Sequence, residues 1–170
     1  MAYATTPALV AEVIKAGGLG FLGAGERHSG PSGRIVVPYR SSYIVFAGAE
    51  PAPKVAQAID DARALLQPEL RQVVGMGFVG WVLDKFNTDS DPRFQAALEK
   101  EPSAIFLAYG RDLHKYIEQV RAFDASSAGR KTPIFVTVNT VQEAVRAAKE
   151  WKADVLVVQG SVSVLYRAMH

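Results

Sequence analysis

The sequence predicts an α/β protein whose strands lie parallel in one sheet, and three observations carry that prediction. Short, mainly apolar runs recur at 19–22, 73–77, 104–107, 134–138 and 155–158, the one at 134–138 β-branched and aromatic. Between successive runs stand stretches with apolar residues at helical spacing. The runs do not alternate between apolar and polar residues, as in strands buried on both faces. A strand, a helix and a second strand at these separations form a crossover between parallel strands, nearly always right-handed. Five main strands and five helices alternate, beginning with a helix. A closed barrel of eight such units usually needs more than about 200 residues, and this chain has 170. Composition and periodicity therefore leave two architectures open, an open sheet or part of a barrel.

Each element has its own justification. Thr6 and Pro7 suit the N-cap and first position of a helix whose apolar stripe is Leu9, Val10, Val13 and Ile14, and Gly17 with Gly18 ends it. The first strand follows at 19–22. Residues 26–53 break the pattern with a Gly-, Ser- and Pro-containing loop around His28 and short apolar runs at 35–37 and 43–46, an insert that reads as a hairpin excursion. Val55, Ala58, Ile59, Ala62 and Leu66 then mark a helix, and 73–77 a strand. Ser90 or Asp91 caps the next helix, which turns Phe94, Ala97 and Leu98 inward, before the strand at 104–107. Asp112 is the expected cap of a helix carrying Leu113, Tyr116, Ile117, Val120 and Phe123 on one face.

The clearest unit closes the series. The strand at 134–138 runs between Pro133 and Asn139, and Thr140 opens a helix with Glu143 placed for a capping box. Val141, Ala144, Val145, Ala148 and Trp151 form the expected buried stripe, with Arg146, Lys149 and Glu150 toward water. The last strand, 155–158, is wholly apolar, and 161–170 form an atypical tail. Residues 1–170 read as a single α/β domain.

Composition excludes several classes of function. With 49% apolar and 21% charged residues the chain is an ordinary globular one, and its net charge of +2 gives no reason to expect nucleic acid. There is no cysteine, hence no disulfide, thiolate nucleophile or cysteine metal site. No signal-peptide pattern opens the sequence, and no apolar run reaches the roughly 18 residues that span a bilayer. A soluble, cytoplasmic protein without membrane partners is expected.

Chemistry is expected at the C-terminal ends of the strands, where parallel sheets place their ligands. Gly18, Gly20 and Gly23 have GxGxxG spacing, and so do Gly75, Gly77 and Gly80, the second set following a strand with Glu99 downstream at ribose-binding distance. That is the signature of a dinucleotide site, but the helix after Gly80 is cut short by Asn87, Asp89 and Pro92, which leaves a pyrophosphate without a firm helix N-terminus. A phosphate loop at 25–30 fails because Pro31 and Ser32 stand where lysine and a hydroxyl residue are needed. Asp60 and Asp61 lie opposite the apolar stripe of their helix and read as solvated. His28 and His114 have no partner at metal-ligand spacing, and Trp81 and Trp151 read as core or interface residues. Asn139 and Gln159 fall just past buried strands at the ligand-binding rim, where a loop-capping role and a binding role are equally open.

On this series of motifs the chain resembles a known family. The run PALVAEVIKAGGLGFLGAG looks like the first helix and second strand of the nitronate monooxygenases, also called 2-nitropropane dioxygenases. VVGMGFVGWVLDKF looks like their third strand, PSAIFLAYGRDLHKYIEQVRAFD like the following βα unit, and TPIFVTVNTVQEAVRAAKEWKADVLVVQG like the stretch that leads through their sixth strand. The resemblance implies a partial TIM-type (β/α)8 barrel that binds flavin mononucleotide (FMN) and oxidises alkyl nitronates with molecular oxygen. It implies cofactor contacts at Met1 and Ala2, which look like the remnant of the first-strand turn, at Gly75 and Gly77 near the third-strand end, and at Gln159 and Gly160 closing the sixth strand. No catalytic residue is carried over, since 161–170 lack the family's glycine-rich loop and its proton-transferring histidine. The insert at 26–53 has no counterpart, and the late units that hold the flavin phosphate lie beyond His170. A truncated family member without activity, and an open-sheet nucleotide-binding module using Gly75, Gly77 and Gly80, are the alternatives. Strands left unpaired at the two ends predict self-association as a homo-oligomer.

Overall fold

The computed structural model describes residues 6–23, 51–84, 91–127 and 129–159. Met1, Ala2, Gly160, the loop around His28, the runs at 35–37 and 43–46, and the tail at 161–170 lie outside the described residues. The elements are α1 (Pro7–Lys15), β1 (Gly20–Gly23), α2 (Ala52–Ala64), a 3-10 turn (Pro68–Val73), β2 (Val74–Val79), α3 (Gly80–Leu83), α4 (Pro92–Glu99), β3 (Ile105–Ala108), α5 (His114–Ser126), β4 (Ile134–Val138), α6 (Val141–Lys149) and β5 (Val155–Val158). Among the described residues no helix is long and apolar enough to cross a membrane.

The five strands form one sheet in the order β1-β2-β3-β4-β5, every pair parallel. Chain order without reversal is that of a βα repeat and is compatible with a barrel wall, and right-handed crossovers between adjacent parallel strands put the helices on the same side. Burial agrees with that placement. Leu22, Met76, Phe78, Ile105, Leu107, Ile134, Val136 and Val138 point to one face and are buried in the core with Val10, Ile59, Phe94, Ile117 and Val120 from the helices. Phe21, Gly77, Phe106 and Phe135 point to the other face and are only half-buried. The described sheet thus has a helix-covered outer face and a more open inner one.

Local chemistry sets the helix starts. The Thr6 hydroxyl accepts from Leu9 N at 3.1 Å ahead of Pro7, and Asp91 caps α4 by accepting from Arg93 N at 2.8 Å while pairing with the same residue's guanidinium at 2.5 Å. Thr140 Oγ1 accepts from Glu143 N at 3.1 Å. The reciprocal carboxylate bond goes one residue further back than in a capping box, from Asn139 N to Glu143 Oε2 at 2.6 Å. Asp112 is not a cap: α5 begins one residue later than such a cap allows, with Leu113 at the N-cap and no side-chain bond there.

Two apolar stripes are oriented differently from expectation. In α1 the buried residues are Val10, Ala11 and Ile14, with Leu9 and Val13 exposed. In α6 Ala147 and Trp151 are buried, while Val141 is 77% exposed and Val145 46%. Each stripe is wider than one helix–sheet contact: α1 buries Ala11 in place of Leu9 and Val13, and in α6 the small Ala147 takes the buried position while the valines flank it.

Candidate functional site

The C-terminal rim is built from the residues that follow β2, β3, β4 and β5. Strand β2 runs to Val79, two residues further than the glycine-diluted apolar pattern suggested, so Gly75 and Gly77 lie within the strand and below the rim. A Cβ on Gly75 would meet the Phe21 ring at 2.6 Å, which accounts for that glycine by packing. Gly77 has more room: the nearest atom to an added Cβ is Leu22 O at 3.5 Å, followed by the Phe106 ring at 3.7 Å. Gly80 and Gly110 press backbone to backbone where β2 and β3 end, with a Cβ on Gly80 falling 2.7 Å from Gly110 Cα and 2.4 Å from Leu113 Cδ2. The GxGxxG spacing therefore has two packing causes and one open position, and the helix after it is only four residues long.

Above this floor Tyr109 and Gln159 meet. Tyr109 follows β3 with φ of 56°, a left-handed conformation that costs a side-chain-bearing residue energy and clusters at functional sites. Its carbonyl accepts from Trp81 N at 3.0 Å, which ties the turn to the start of α3. Its hydroxyl donates to Gln159 Oε1 at 2.5 Å, and Gln159 N is held by Val138 O at 3.0 Å. The bond spans the top of β4 and fixes the Gln159 amide at the rim. Asn139 takes the capping role open to it: its backbone and, at 3.4 Å, its side chain both donate to Glu143.

Below the rim, the inner face carries an aromatic floor. Phe21 packs against Phe106 with ring centroids 5.7 Å apart and edge-on against Phe135 at 5.3 Å. Sequence reasoning missed Tyr109, although the argument that singled out Asn139 and Gln159, a polar side chain immediately past a buried strand, applies to it as well. His114 lies at the start of α5 with its Nε2 3.8 Å from Glu118 Oε1, and among the described residues no three His, Asp or Glu side chains gather into a metal site.

The described residues fit one part of a flavin better than the other. A half-buried aromatic floor with a side-chain-free position at Gly77 suits a flat, largely apolar ring system, and a fixed amide at the rim suits its polar edge. The phosphate is less well served. Among the described residues, the helix start nearest Gln159 along the chain, that of α6, already holds the Glu143 carboxylate, which opposes a dianion. Family models, curated proteins and solved structures return no match to this chain.

Proposed function

We propose that the chain forms the wall of a (β/α)8-type barrel that binds FMN at its C-terminal rim and oxidises alkyl nitronates with molecular oxygen, in the manner of the nitronate monooxygenases it resembles. The observation that carries the reading is the Tyr109–Gln159 bond standing over the aromatic inner face of a chain-ordered parallel sheet. Gln159 would present its amide to the polar edge of the flavin, Tyr109 would hold that amide in place, and Gly77 with Phe106 would form the floor. Bound flavin supplies the electron acceptor for the nitronate and the route to oxygen. The phenyl rings would keep water from the reacting face. A nitronate is already deprotonated, so the described residues need supply no strong base.

A second reading, a wall of this type that holds flavin weakly and turns over little, is favoured by the Glu143 carboxylate at the start of α6. Absorption titration with FMN and with riboflavin, followed by oxygen consumption on an alkyl nitronate at saturating flavin, separates the two. Binding with turnover supports the first, binding without turnover the second, and no binding excludes both.

A further inference from the structure

At the opposite end of the sheet from Tyr109 and Gln159, the loops that lead into β2, β3 and β4 surround a cleft of about 420 Å³. Arg63 from the last turn of α2, Arg71 from the 3-10 turn, Lys100 after α4 and Arg130 before β4 line it, against one lining carboxylate, that of Glu101. Two of the four cations are balanced locally. Lys100 Nζ lies 2.5 Å from Asp60, and Arg130 lies 3.6 Å from Glu101 and 3.8 Å from the buried Asp124. Arg63 and Arg71 differ. Among the described residues neither is in an ion pair, and both are held by carbonyls instead: Arg63 Nε donates to Arg71 O at 3.1 Å and its Nη2 to Glu101 O at 3.0 Å, while Arg71 Nε donates to Leu66 O at 3.2 Å. Carbonyls fix the two guanidinium groups without neutralising them. Burial, with the charge of Arg130 beside it, holds the Arg63 guanidinium below its ordinary pKa, while Asp60 and Glu101 act in the opposite direction without forming an ion pair with it.

A second observation comes from Ser103, which also lines the cleft. Its backbone is fixed by a bond from its N–H to Val74 O at 2.9 Å, yet its hydroxyl oxygen is buried with no hydrogen-bond partner among the described residues. Buried hydroxyls are almost always satisfied, and an orphan beside two arginines that make no ion pair among the described residues suits an acceptor that also carries negative charge. A cluster built only to fasten loops behaves differently on this same end of the sheet: Asp124 accepts from Thr132 N and Oγ1 at 2.8 and 2.7 Å and stands near Arg121 and Arg130. That network closes on itself, and the one around Arg63, Arg71 and Ser103 does not.

We propose that this cleft binds a small dianion of the phosphate or phosphate-monoester type, gripped by Arg63 and Arg71 with the Ser103 hydroxyl donating to one of its oxygens. Forked guanidinium donors match tetrahedral oxyanions, and the volume admits a ligand of metabolite size. The inference does not depend on the flavin reading, which concerns the other end of the sheet.

Calorimetric titration of the full chain with inorganic phosphate, glycerol phosphate and acetate tests it. The expected result is one-site binding of both phosphate probes, weakened by added salt, with much weaker binding of acetate; the tighter of the two phosphates shows whether the ligand is free or esterified. Ser103→Ala removes a hydroxyl that bonds nothing among the described residues, so its urea midpoint should stay unchanged while phosphate affinity falls about fivefold to tenfold. Arg71→Gln should lower that affinity by about tenfold or more. Absence of saturable binding, acetate binding as tight as phosphate, or wild-type phosphate affinity in either variant would overturn the proposal.

Discussion

The hydroxyl of Tyr109 donates to Gln159 Oε1 at 2.5 Å, joining the ends of β3 and β5 across the top of β4. The relationship has a backbone counterpart, because Tyr109 reaches Gln159 from a left-handed φ of 56°. Strain and function should therefore separate on mutation. Tyr109→Gly relieves the strain and is expected to leave the urea midpoint unchanged or raise stability by up to about 1 kcal/mol. Tyr109→Phe keeps the strain, releases the Gln159 amide, and is expected to weaken flavin binding by about fivefold to tenfold. A marked loss of stability in the glycine variant would show that the Tyr109 conformation serves the fold instead.

Gly77 and Gly80 of the GxGxxG stretch, with Gly110 packed against Gly80, should divide in the same way. Gly80→Ala and Gly110→Ala place a methyl within 2.4 Å of Leu113 Cδ2, and overpacking of this kind should cost about 1–3 kcal/mol. Gly77→Ala meets nothing closer than 3.5 Å and should stay within about 0.5 kcal/mol of wild type, while reducing flavin affinity by intruding on the floor. Denaturant titration of the three variants, paired with flavin titration of Gly77→Ala, reads both effects.

Much of the fold was legible because its signals are local. Apolar runs marked all five strands, and the caps Thr6, Asp91 and Thr140 are short-range chemistry. What could not be read depends on neighbours. Nothing in α6 says that Ala147, and not Val141 or Val145, meets the sheet. The end of β2 was misplaced because Gly75 and Gly77 dilute the apolar pattern, and only Phe21, from a distant strand, explains Gly75. At the site, Gln159 was visible from its place after a buried strand, whereas its partner Tyr109 lies 50 residues away in the chain.

Two side chains set the pH limits of stability in opposite directions. Burial alone would raise the Asp154 pKa, but the Ile134 amide, Arg121 at 2.5 Å and Lys131 together hold it below the usual carboxylate range. A depressed pKa gives stability that is present above the unfolded value, near 3.9, and is lost as pH falls below it. Burial, and then the bond to Asp84, push Tyr116 up to about 12. That contribution is present below the unfolded value near 10 and is lost as pH rises from there toward 12. Asp154→Asn should flatten the acid limb and Tyr116→Phe the alkaline limb of a stability–pH curve. Unchanged limbs in both variants would contradict these assignments.

The far edge of the described sheet is apolar and uncovered. Val158 is 80% exposed in β5, which pairs only with β4 among the described residues, and Val145 stands exposed on the adjoining helix. Such an edge recruits a second copy. Sedimentation should show concentration-dependent self-association that the Val145→Lys/Val158→Lys double variant reduces, with little change in its urea midpoint. A wild-type protein that stays monomeric over a wide concentration range would contradict this.

The most direct test of the account is a flavin titration of the purified chain followed by absorption, with Gln159→Ala alongside. Saturable binding with a perturbed flavin spectrum is expected, weakened by about tenfold in Gln159→Ala as a polar contact is lost. Riboflavin should bind nearly as tightly as FMN, because the described rim supplies the ring and not the phosphate, and the loaded protein should consume oxygen with an alkyl nitronate in preference to the neutral nitroalkane. A flavin spectrum unchanged by the protein at any concentration, or binding indifferent to Gln159, would contradict it.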